Sequence, residues 1–78
     1  MHFVYIIYSE KLNRFYVGST SDLGSRVSDH NKGKSVYTAK GRPWILIKFY
    51  DGLSHSDALK LEKKIKGRGA KRYLQEND

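Results

Sequence analysis

Phe3-Val4-Tyr5-Ile6-Ile7-Tyr8 is apolar at every position, so neither of its alternating faces can be left to water. Its β-branched and aromatic side chains predict a strand covered on both sides, which belongs at the centre of a sheet. The polar run Ser9 to Asn13 interrupts the pattern and Arg14-Phe15-Tyr16-Val17 resumes it, predicting a hairpin with an antiparallel return. A loop from Ser9 to Leu12 would pair Tyr8 with Asn13 and Tyr5 with Tyr16, and send both rings out of one face.

After Gly18, the run Ser19-Thr20-Ser21-Asp22 offers several helix-capping oxygens, and a helix from here ends near Gly33. Leu23 and Val27 form its inward stripe, and Arg26 and His30 share an edge at i, i+4. Gly24 weakens the first turn by ~1 kcal/mol relative to alanine. Lys32 to Pro43 has no period and reads as an exposed basic loop, long enough to point to a binding role. Trp44 to Tyr50 is a further strongly apolar strand, closed by Asp51-Gly52.

Ser54-His55-Ser56-Asp57 has capping-box form and opens a helix in which Ala58, Leu61 and Ile65 face inward with Glu62 beside them. Gly67 or Gly69 ends it, and Ala70 to Gln75 form a last helical piece. Three strands interleaved with helices predict an α+β domain spanning residues 1–78, an antiparallel sheet with helices against it.

Composition narrows the partners. Fifteen Lys and Arg against eight Asp and Glu give a net charge of +7 on 78 residues, which favours a polyanion, nucleic acid before an anionic membrane. The longest apolar run is far short of the ~20 residues that span a bilayer, and no charged leader precedes it, so the expected compartment is the cytoplasm. There is no cysteine, and His2, His30 and His55 lack metal-site spacing, which argues against a structural zinc.

Five side chains carry candidate chemistry. Glu62 is the one acid among seven cations between Ala58 and Arg72. Its ordinary role would be an ion pair with Lys66 at i+4; its functional role would be a Mg²⁺ ligand, since magnesium often takes one or two carboxylates and fills its shell with water and phosphate oxygens. Arg26 is either a solvated helical arginine or a fork for phosphate charge. His30 is either a surface histidine or, beside Arg26, part of a site. Tyr5 and Tyr16 are either core tyrosines or phenols whose pKa, ordinarily near 10, is drawn down by Arg26 and His30. Lys32, Lys34, Lys40 and Arg42 in the loop, with Lys63, Lys66 and Arg68 on the last long helix, are the expected contacts to a nucleic-acid backbone.

In this order, Phe3-Val4-Tyr5, Tyr16-Val17-Gly18, Arg26, His30 and Glu62 resemble the GIY-YIG endonuclease superfamily over nearly the whole chain, and most of all its small stand-alone bacterial members related to the N-terminal nuclease domain of excinuclease C. The first tripeptide departs from the pattern, with Phe3 where a glycine is usual. The resemblance implies a three-stranded antiparallel sheet flanked by helices, and Mg²⁺- or Mn²⁺-dependent hydrolysis of phosphodiester bonds in DNA, with RNA left open as substrate. It implies a structure-selective, repair-related role, with a protein partner as one route to targeting. It assigns Tyr16 as base or activator of the attacking water, Arg26 to the transition-state charge, Glu62 to the metal, and Tyr5 and His30 to orientation or proton relay. The competing expectation is a non-catalytic nucleic-acid-binding module on the same scaffold.

Overall fold

The structure, a computed structural model, describes residues 1–77. β1 (His2–Ser9) is the middle of a three-stranded antiparallel sheet, flanked by β2 (Arg14–Thr20) and β3 (Trp44–Leu53). Its uniformly apolar sequence is explained by what covers it. Val4 and Ile6 face α2 (His55–Arg68) and α3 (Ala70–Asn77), in a core with Val17, Ala58, Ile65 and Tyr73. Tyr5 and Ile7 face the other way, with Trp44, Tyr16, and Leu23 and Val27 of α1 (Leu23–Lys32). The fold is thus α+β, and its central strand separates two cores.

The helix boundaries follow from local chemistry. Asp22 caps α1 by accepting from the Ser25 amide at 3.1 Å, and Gly33 ends it in the left-handed region at φ 78°, returning its amide to the carbonyls of Asp29 and His30. Ser54 accepts from the Asp57 amide at 3.0 Å at the start of α2, and Gly69, not Gly67, ends that helix. α3 runs two residues beyond Gln75.

Three expectations need correction. The β1–β2 register pairs Ser9 with Arg14, Ile7 with Tyr16 and Tyr5 with Gly18, so the loop is Glu10 to Asn13 and the pairing is displaced from that read off the pattern. The reason is local: Ser9 is buried and its hydroxyl accepts from the Leu12 amide, while Asn13 takes φ 54°, the left-handed conformation that asparagine tolerates. Because the displacement moves each pairing by two positions, Tyr5 and Tyr16 keep a common face.

The Lys32–Pro43 loop is not exposed throughout. Thr38 is fully buried, and a single 3₁₀ turn (Ala39–Gly41) follows it.

Finally, β3 is not closed by Asp51-Gly52 but runs through them to Leu53, and it is an outer strand whose Ile45, Leu46, Ile47 and Phe49 stay partly in solvent. Ile47 has no partner on β1: Lys48 pairs with Ile6 and Leu46 with Ile7. This bulge reverses the facing of everything before it, and so turns Trp44 onto the α1 side of the sheet.

Candidate active site

The site begins with a steric fit. The Tyr5 ring lies across Gly18 on the neighbouring strand, where an added Cβ would come within 2.5 Å of the phenol oxygen. Only a hydrogen leaves that space, so the tyrosine of the first tripeptide requires the glycine of the second. The Tyr16 ring stands beside it at 6.4 Å between centroids.

α1 brings up the other two groups. The Tyr5 hydroxyl and His30 Nε2 are 2.8 Å apart, and the Arg26 guanidinium approaches the same phenol oxygen as a donor. With a cation facing the oxygen's lone pairs, the phenol proton is left to donate to Nε2. His30 then carries its proton on Nδ1 and donates it to Thr38 Oγ1 at 2.6 Å.

Thr38 is fixed in turn, its carbonyl accepting from Trp44 Nε1 at 2.7 Å. Asn31 clamps the Trp44 backbone, accepting from its amide at 2.6 Å and donating to its carbonyl at 3.1 Å. His30 is fully buried and meets the Tyr16 ring edge-on at 5.1 Å. It is no surface histidine.

Glu62 arrives from the opposite layer, around the edge of β2. Its Oε1 accepts from Ser19 Oγ at 2.8 Å and its Oε2 from Lys66 Nζ at 2.7 Å. The same ammonium lies 5.9 Å from the centre of the Tyr16 ring. The helical ion pair that ordinary chemistry predicts is therefore present, and it sits against the tyrosine cluster. Tyr5, Tyr16, Arg26 and His30 form one contiguous group, to which Glu62 is joined through Lys66 and Ser19.

The electrostatics separate these groups. Burial pushes the Tyr5 phenol up to about 12, against the opposing effect of Arg26. The expectation that Arg26 and His30 draw a phenol downward thus fails at Tyr5, because desolvation of the phenolate outweighs the effect of Arg26. Burial, reinforced by Arg26, lowers the His30 pKa and keeps the ring neutral. At Glu62, burial acts upward but is outweighed by hydrogen bonds from Lys66 and Ser19, so its pKa is lowered and the carboxylate stays ionised.

Among the described residues no group of three or more His, Cys, Asp or Glu converges, so there is no cage for a tightly held metal. The Glu62 carboxylate accepts one hydrogen bond on each oxygen, which leaves acceptor capacity on both. That chemistry fits a hard cation whose remaining shell is water and phosphate.

The expected backbone contacts are spread more widely. Lys40 and Lys66 line a cleft of about 1260 Å³ that opens beside Tyr16 and runs past Tyr8, Phe15, Tyr37 and Trp44 to Lys71. Lys32 and Lys63 are exposed. Lys34 pairs with Asp29 at 3.6 Å, and Arg42 donates to the Ala39 carbonyl while its guanidinium packs against Gly33. Arg68 pairs with Glu76 and borders a separate hollow with Lys64 and Tyr73, outside the cleft. Asn31 and Thr38 hold the site together without having been singled out in the sequence, and Ser19, read there only as a capping oxygen, binds Glu62 instead; small polar side chains have no period to betray them.

Comparison with known proteins adds a lineage. Residues 1–75 match the model of the GIY-YIG catalytic domain. The chain is 38% identical over 66 residues to UPF0213 protein SH2523 of Staphylococcus haemolyticus, covering 83% of this chain and 79% of that one. It is 35% identical over 79 residues to UPF0213 protein YazA of Bacillus subtilis, covering 96% and 79%. The solution NMR structure of UPF0213 protein BH0048 from Bacillus halodurans superposes with a TM-score of 0.58 at 28% identity, over 95% of this chain and 79% of that one.

Proposed function

The chain belongs to the GIY-YIG family, a family of nucleases, and from that membership and the geometry of the site we propose that it is a metal-dependent DNA endonuclease. The observation that carries the reading is the gathering of Tyr5, Tyr16, Arg26 and His30 from three elements around one phenol, with an ionised carboxylate from a fourth beside them.

Arg26 is placed to neutralise charge that grows on a phosphoryl oxygen, and as a guanidinium it does so at any working pH. Tyr16, the half-exposed phenol, is the general base or the activator of the attacking water: as base it reacts as the phenolate, takes the water's proton and returns to the neutral phenol, and as activator it keeps its own proton and orients the water by hydrogen bonding. Tyr5 stays protonated, so it acts as a fixed donor that orients its neighbours rather than as a base. Neutral His30 holds that phenol in place and passes its own orientation back to Thr38. Glu62 is the residue that would hold Mg²⁺ or Mn²⁺, which would supply Lewis-acid polarisation of the phosphate and of the leaving oxygen. Lys66 keeps Glu62 ionised and adds positive charge beside Tyr16.

The test is cleavage of branched, flapped and plain duplex DNA by the purified chain, with and without Mg²⁺. Cutting that requires the metal and disappears in Glu62→Ala and Arg26→Ala is the expected result. No cutting on any substrate, or cutting undiminished in both variants, refutes it. The non-catalytic reading instead requires salt-sensitive DNA binding that survives Glu62→Ala and needs no metal.

A further inference from the structure

Tyr37 is 83% exposed although it stands at the mouth of the site, its ring centre 5.9 Å from that of Tyr16. An aromatic side chain left that bare gains little from its own scaffold, so packing does not account for its position. Its backbone is nevertheless anchored by its neighbour. The next residue is Thr38, fully buried and hydrogen-bonded to His30 Nδ1, to Trp44 Nε1 and, through its amide, to the Ser35 carbonyl. A platform anchored this way loses little freedom on binding.

The cleft below Tyr37 is lined by Arg14, Lys40, Lys66 and Lys71 and by the rings of Tyr8, Phe15, Tyr16 and Trp44, and no Asp or Glu is among its described lining. At about 1260 Å³ it exceeds the usual ~300–1,000 Å³ of a small-molecule pocket. Cations interleaved with aromatic faces are the means by which proteins hold single-stranded nucleic acid.

We propose that this cleft is a subsite for a single-stranded polynucleotide, with Tyr37 as the platform on which an unpaired base stacks beside the scissile phosphate. The inference rests on the nuclease reading for the position of that phosphate. In a duplex, each base face is occupied by its neighbours; only an unpaired base can offer one to Tyr37. Lys40 and Lys71 then track the backbone, and the substrates are flaps, frayed ends and single strands rather than continuous duplex.

The test is metal-free binding, read by fluorescence anisotropy in EDTA, to a labelled deoxyoligonucleotide of about 12 nucleotides, within the usual site size of a single-strand groove. An abasic strand of equal length and the matching duplex are measured alongside. The base-bearing strand should bind about tenfold or more tighter than the abasic one. Tyr37→Ala should erase that difference without weakening the abasic strand, and Tyr37→Trp should retain it. Lys40→Ala and Lys71→Ala should each reduce the salt dependence of log K by about 0.7.

Equal binding of base-bearing and abasic strands overturns the inference, as does tighter binding of the duplex or indifference to Tyr37→Ala. Because no metal is present, the nuclease reading fails separately. Strand binding with the expected Tyr37 dependence, but no cutting in Mg²⁺, refutes catalysis and leaves the subsite standing. Cutting of duplex with no effect of Tyr37→Ala on binding refutes the subsite alone.

Discussion

Gly18→Ala isolates the contact on which the tyrosine cluster is built. The new methyl would stand 2.5 Å from the Tyr5 hydroxyl oxygen and 2.6 Å from the ring carbon bearing it, about 1 Å inside ordinary van der Waals distance. Tyr5 is buried and its oxygen is bound to His30 at 2.8 Å, so the ring has no open space to move into. A displacement of ~1 Å takes that bond beyond hydrogen-bonding range. Overpacking costs about 1–3 kcal/mol, and leaving a buried polar group without its partner a further ~1–3 kcal/mol. The expected loss is roughly 2–6 kcal/mol, a large part of the ~4–10 kcal/mol that a domain of this size commands.

Urea unfolding followed by circular dichroism measures the loss, and the imidazole nitrogen shifts of His30 report the broken bond. In a Tyr5→Leu background no ring remains to collide, and the cost of Gly18→Ala should fall below ~1 kcal/mol, since alanine is the better strand former. Unchanged stability with unchanged His30 shifts in the single variant, or an equal cost in both backgrounds, would show that the ring does not cross Gly18.

Three further outcomes follow from the site. The pKa of His30 is lowered in the folded chain, so the unfolded chain takes up its proton first. Wild-type stability should decline as pH falls through ~6.5 and level off below the folded-state pKa, a dependence that His30→Gln should lack in urea titrations at stepped pH. The pKa of Glu62 is also lowered, so its contribution is full above the unfolded value of ~4.3 and lost as pH falls through the folded one; the gap in urea midpoint between wild type and Glu62→Gln should narrow as pH falls below ~4.3 and close once the folded-state carboxylate is protonated. Thr38→Val keeps the shape and removes the acceptor of His30 Nδ1; it should cost about 1–3 kcal/mol in thermal or urea unfolding and disturb the tautomer seen in His30 nitrogen spectra.

Much of this architecture could be read from side-chain period. β1 announced its central place because an unbroken apolar run has no face for water, and Ser54, Gly33 and Asp22 marked helix ends by local chemistry that needs no tertiary context. The hairpin register could not be read in the same way. It turned on Ser9 being buried and Asn13 adopting a left-handed conformation, and both are decided by the turn as a whole. Tyr5, Tyr16, Arg26 and His30 still met, because an even displacement preserves the facing of every side chain. The electrostatics were least legible: proximity of Arg26 to Tyr5 was foreseeable, but the depth of burial that overrides it was not. Thr38 was hidden inside a stretch whose composition reads as solvent-facing loop.

The unmatched Ile47 leaves β3 as two half-strands in opposite phase. The half that holds Tyr50 serves the helix-pair core, and the half that holds Trp44 serves the tyrosine cluster. Removing one residue there would do more than shorten the strand by a step: it would rotate the indole out of the chamber containing His30 and leave Thr38 without its brace. An insertion or deletion in the outermost strand, far along the chain from both signature tripeptides, thereby becomes a change to the chemistry.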